Sequence, residues 1–142
     1  MNAHNNLGGV LKSLGQNQAA IDTFLNVLEI DSQNVDAAHM LNVLEKKNIN
    51  SIPKAYIKNL FEAFAPVFDK SLMKKLNYKA PKILKKLFTE QDCGTFGATL
   101  NLGCGTGLMG ANIKGLSDDI TGVDLSSKML NLAAQLGVYT DL

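Results

Sequence analysis

The sequence predicts an α/β chain in which a helical region precedes one strand–helix–strand–helix unit. Two patterns carry that prediction. Residues 3–31 repeat apolar side chains at helical spacing, and residues 98–127, ATLNLGCGTGLMGANIKGLSDDITGVDLSS, set three alternating glycines between two apolar runs, the second ending in an acid. At 142 residues there is room for one ordinary domain or two small ones. The net charge of +1 gives no overall bias toward nucleic acid or membrane. No apolar run approaches the ~20 residues needed to cross a bilayer, and the start, MNAHNNLGG, lacks the pattern of an export signal, so a cytoplasmic location is expected.

The first region spans 1–47. Leu7, Leu11 and Leu14 mark one helix, and Ile21, Phe24, Leu25 and Leu28 a second, with the joint at Gly15; Gly8 and Ala20 are small enough to let the two cross closely. Asn34 to Lys47, with Ala37, Ala38, Leu41 and Leu44, predicts a third helix. Leu7, Gly8, Leu11, Gly15, Ala20 and Phe24 resemble the tetratricopeptide repeat, with Ser32 where a proline often closes the unit. One and a half repeats cannot form a stack alone, so either the helices complete a neighbouring core or the natural protein begins upstream. The resemblance implies a possible protein partner on this surface. His4 and His39 have no ligating residue at metal spacing, and Cys93 and Cys104 suit neither a disulfide scaffold nor a metal cluster; no metal is expected.

Residues 48–54 read as a linker ending at Pro53. Lead-in helices follow over 55–90. The first is interrupted at Pro66, and Pro81 opens another, PKILKKLF, with Ile83, Leu84, Leu87 and Phe88 on one side and Lys82, Lys85 and Lys86 on the other. Residues 51–90 hold nine lysines against three acids. The chain has no arginine, and no aromatic alternates with the lysines of that helix, so a solvated face with its apolar side on a sheet is expected rather than a nucleic-acid surface.

Over 98–142, Ala98 to Leu102 predicts a buried strand, Gly103, Gly105 and Gly107 a tight turn, and Leu108 to Leu116 a helix. Ile120 to Val123 predicts the second strand with Asp124 as its last residue; Ser126 or Ser127 then caps a helix through Met129, Leu130, Ala133 and Leu136, closed by Gly137. An acid at a neighbouring strand tip, behind a glycine turn, can accept hydrogen bonds from both ribose hydroxyls, which implies a nucleoside ligand. Two registers compete. From Gly103 the glycines alternate; from Gly105 the spacing through Gly107 and Gly110 fits a dinucleotide site, at the cost of prolonging the strand through Gly103 and Cys104. The first register is the more natural.

NLGCGTG followed by TGVDLSSKML resembles the first two motifs of class I methyltransferases that use S-adenosylmethionine. The resemblance covers roughly residues 98–133 and implies the first half of a Rossmann-like methyltransferase fold within a partial domain over 55–142, truncated at its C-terminus. It further implies that Gly103, Gly105 and Gly107 pass close to the methionyl part of S-adenosyl-L-methionine and that Asp124 holds its ribose. Asn101 stands where the family has an acid; Cys104, Leu125 and Met129 complete the expected cofactor-binding set. FAPVFD is similar to a segment that precedes the core in that family, which implies Phe64, Phe68 or Asp69 at the same site. No catalytic residue and no methyl acceptor, small molecule or protein, can be named from these residues. The alternatives are a helical adaptor with a non-catalytic nucleotide-binding fold and an NAD-binding oxidoreductase.

Overall fold

A computed structural model describes residues 2–47, 51–91 and 93–142, and the chain divides into two compact units, Met1–Asn59 and Leu60–Leu142. The first unit comprises α1 (Asn2–Ser13), α2 (Asn17–Ile30), α3 (Val35–Leu44) and the opening turns of α4 (Lys54–Phe64). α1 and α2 form the expected hairpin, turning where Gly15 takes a φ of +76°. Gly8 lies against Phe24 so closely that a Cβ on it would stand 2.6 Å from the ring. That approach seals a core of Ala20, Phe24, Val27, Ala37 and Leu41, with Leu11, Ile21, Leu28, Met40 and Leu44 packed around it. Because Gly8 occupies the crossing, the buried stripe of α1 runs through Gly8 and Leu11. Leu7 and Leu14, expected on that stripe, are left 50% and 66% exposed.

Asn34 fixes the entry to α3: its side chain accepts from the amide of Ala37 at 3.0 Å and from Asn5 Nδ2 at 3.1 Å, while its own Nδ2 donates to Asp31. The expected linker at 48–54 falls partly on residues 48–50, outside the described residues. The boundary between units falls later, at Asn59, because the start of α4 is tied to α3. His39 and Tyr56 rings lie 4.2 Å apart, and Asn59 Nδ2 donates to Asp36 at 3.1 Å.

The second unit continues with a 3₁₀ turn over Ala65–Val67 at Pro66, then α5 (Phe68–Lys75), α6 (Ala80–Glu90), β1 (Phe96–Leu102), α7 (Leu108–Ile113), β2 (Ser117–Val123) and α8 (Ser127–Ala134). β1 and β2 pair in parallel, with Asn101 opposite Gly122 and Leu102 opposite Val123. α7 is shorter than the predicted helix, since Lys114–Leu116 tightens into a 3₁₀ turn. Asp124 lies just beyond β2 rather than closing it. After α8 the chain returns to the sheet: Thr140 N–H donates to Ile120 O at 2.8 Å and Gly122 N–H to Asp141 O at 2.9 Å, a parallel third rung that the sequence pattern did not signal. Ile113, Ile120, Met129 and Ala133 are among the unit's buried apolar residues. The apolar side of α6 is not packed as predicted. Ile83, Leu84 and Leu87 are exposed, and only Phe88 turns in, meeting Phe96 edge to face at 5.1 Å. No helix among the described residues is long and apolar enough to cross a membrane.

Candidate functional site: the glycine turn and Asp124

β1 ends at Leu102, and the next five residues form the turn into α7. Gly103, Gly105 and Gly107 have φ values of +68°, +55° and +91°, a left-handed region that costs an ordinary residue roughly 1–2 kcal/mol. Three such angles in five residues explain why glycine recurs there. Cys104 between them donates its amide to Val123 O at 3.0 Å, so the turn stays fastened to the end of β2.

Asp124 meets the turn from the other strand. Its Oδ2 accepts from the Gly105 amide at 3.0 Å and its Oδ1 from the Ser126 amide at 2.8 Å. Ser126, wholly buried, in turn caps α8 by accepting from the Met129 amide. One carboxylate therefore holds both the glycine turn and the start of α8, and each oxygen keeps a further lone pair for a ligand hydroxyl.

A cleft of about 130 Å³ opens beside the turn. Asn101, Gly103, Cys104, Gly105 and Thr106 form one wall; Phe68, Leu72, Tyr78 and Pro81 of the lead-in helices form another. The lead-in segment is pinned there. Thr106, 3% exposed, donates its hydroxyl to Asp69 Oδ1 at 2.5 Å, while Phe68 sits 3.9 Å from the point a Cβ on Gly105 would occupy. Phe64 and Phe61 brace Phe68 edge to face at 5.5 and 6.2 Å.

Asn101 is held by Tyr139, receiving no charge from it but fixing its orientation: Nδ2 donates to the phenol oxygen at 2.9 Å. The ring of Tyr139 fills the space over three glycines, such that a Cβ on Gly107, Gly110 or Gly122 would fall within about 3 Å of it. Burial pushes the Tyr139 phenol above its usual range, against the opposing hydrogen bonds from Asn101 and the Gly110 backbone. Burial, and then the Asp124 charge, likewise push the Cys104 thiol up, which makes it a poor nucleophile.

Of the expected residues, Asn101, Gly103, Cys104, Gly105, Gly107 and Asp124 gather at the turn. Leu125 is exposed beside Asp124, whereas Met129 is 1% exposed. Met129 is buried in α8 with Ala133 and is not among the residues that line the cleft. Tyr139, Thr106 and Tyr78 also stand beside the turn or its cleft without a mark in the sequence. Nothing in periodicity marks a tyrosine after Gly137 or a threonine between two turn glycines. Among the described residues no cluster of His, Cys, Asp or Glu is arranged to hold a metal.

No known family profile and no curated protein sequence matches the chain. Solved structures resemble it, among them two complexes of one protein. A DhpI–SAH complex is 26% identical with a TM-score of 0.49, over 59% of this chain and 40% of that one. A DhpI–SAM–HEP complex is 26% identical with a TM-score of 0.47, over 58% and 37%. The chain thus spans under half the length of either.

Proposed function

We propose that this chain carries the S-adenosylmethionine-binding part of a methyltransferase. The observation behind the proposal is the joint formed by Asp124 with the Gly105 amide across two parallel strand ends. It puts an acid with spare acceptor capacity beside a backbone turn that a ligand can approach closely, the requirement of a nucleoside site. The glycine register favours the adenosyl ligand over a dinucleotide. β1 stops at Leu102, directly before Gly103, and Gly110 is accounted for by its contact with Tyr139 inside α7 rather than by a pyrophosphate.

In this reading Asp124 accepts the ribose hydroxyls, the Gly103–Gly107 backbone and Asn101 face the methionyl end, and Phe68 with Tyr78 covers it. The cleft is smaller than the roughly 300–1,000 Å³ of complete small-molecule sites, which suits one end of the cofactor with the ribose reaching out to Asp124. When bound, the cofactor supplies an electrophilic methyl on a sulfonium centre. The residues named here bind and orient; none of them is assigned a proton transfer. The helices α1 to α3 are read as one and a half tetratricopeptide-like units that offer a protein-facing surface.

Calorimetric titration with S-adenosylhomocysteine tests the reading. Two charge-assisted ribose bonds of roughly 1.5–3 kcal/mol each predict at least a tenfold loss for Asp124→Ala. Asp124 also braces the turn, so ligand-free melting must be measured on the same variant. Unchanged affinity in a variant that remains folded would remove the ribose assignment.

A further inference from the structure

Three lysines of the lead-in segment line a groove that shares Tyr78 with the proposed cofactor cleft. From Lys70 to Lys86 the sequence holds seven lysines and no acid. Among the described residues only Lys86 of the seven meets an acidic partner, Glu90 at 3.4 Å. Concentrating like charges in this way raises the energy of the free protein and is relieved by a bound anion.

The charge surrounds a cavity rather than a flat face. α5 ends at Lys75, Asn77 with a φ of +48° turns the chain toward α6, and the groove beside this turn has a volume of about 280 Å³. Lys79, Lys82 and Lys86 stand around it, spaced so that 82 and 86 share one face of α6. Met73 and Ile83 give it an apolar lining, and Tyr78 belongs both to this groove and to the cleft beside the glycine turn. A purely solvated lysine face has no need of an apolar cavity, and a groove of about 280 Å³ suits a small ligand better than a strand of stacked bases, for which Tyr78 is the single aromatic from Lys70 to Lys86 and no arginine is present.

We infer that this groove binds a small anionic amphiphile, a phosphate or carboxylate head on a short apolar body, as the methyl acceptor. The lysines take the head, Met73 and Ile83 the body, and Tyr78 marks the border with the cofactor. The acceptor role rests on the methyltransferase reading; the groove's ligand chemistry does not.

The test is titration of the isotopically labelled chain, without cofactor, by hexyl phosphate, inorganic phosphate, hexanol and a short single-stranded oligonucleotide, followed through its amide spectrum. Hexyl phosphate is expected to shift amides over 73–86 and to bind at least tenfold more tightly than inorganic phosphate or hexanol. The pair Lys82→Gln and Lys86→Gln should weaken it at least tenfold, and Lys128→Gln, on the exposed side of α8, less than twofold. Equal binding of phosphate and hexyl phosphate, equal loss in the Lys128 variant, or tighter binding of the oligonucleotide would each overturn the inference. Failure here leaves adenosyl binding at Asp124 untouched. Hexyl phosphate binding in a chain that binds no adenosyl ligand would keep the groove but overturn its role as the acceptor site.

Discussion

Gly110→Ala sets two effects of opposite sign against each other. Gly110 lies within α7, and at an exposed helical position the change to alanine stabilises by about 1 kcal/mol. Here the added Cβ would fall 2.5 Å from Cζ of Tyr139 and still closer to its oxygen. The ring cannot simply step aside, because it also lies over Gly107 and Gly122 and its oxygen accepts from Asn101. Overpacking costs about 1–3 kcal/mol, and breaking the Asn101 bond about 0.5–1.5 kcal/mol more. The steric terms win, for a net loss of about 0.5–3.5 kcal/mol. In a unit of this size each kcal/mol lowers the melting temperature by about 4–8 °C, so thermal unfolding resolves the effect easily. Tyr139→Ala should itself destabilise, but adding Gly110→Ala to it should cost nothing further. A Gly110→Ala protein as stable as the parent, or equal costs of the alanine with and without Tyr139, would refute the view that these glycines form a seat for Tyr139.

Alkaline titration probes the same ring from another side. A phenol raised above its unfolded value of 10.0 contributes stability fully present below about pH 10 and lost as pH rises through the folded value, so Tyr139→Phe should flatten the stability curve there in denaturant melts. Iodoacetamide at pH 8 should modify exposed Cys93 well before Cys104, as peptide mass mapping can read; equal rates would contradict the burial of the turn. Thr106→Val and Asp69→Ala should each speed amide exchange over 103–107. The double variant should go no further than the worse single, since both remove one hydrogen bond, while additive effects would separate the two residues. Gly8→Val should destabilise the helical hairpin by driving a branched side chain into Phe24, measured by melting of the helical signal.

Periodicity and turn chemistry made most of the elements legible in advance. Gly15, Pro66, Pro81 and Gly137 mark real breaks, and Ser126 a real cap, because backbone angle and side-chain reach are local properties. The glycine turn and Asp124 were legible for the same reason. Less visible was anything set by approach between distant segments. Tyr139 reaches Asn101 across 38 positions and Asp69 reaches Thr106 across 37. Helical spacing alone also assigned Leu7 and Leu14 to a buried stripe that Gly8 takes instead, since a glycine carries no hydrophobic signal yet permits the tightest contact.

The central claim is that the turn and Asp124 bind an adenosyl ligand. Its most direct test is the amide spectrum of the labelled chain during parallel titrations with S-adenosylmethionine, S-adenosylhomocysteine and NAD. The account predicts that both adenosyl ligands shift the amides of Gly105 and Ser126, the two that Asp124 holds, while NAD leaves them in place. Shifts at those amides with NAD alone would contradict it and favour a dinucleotide site.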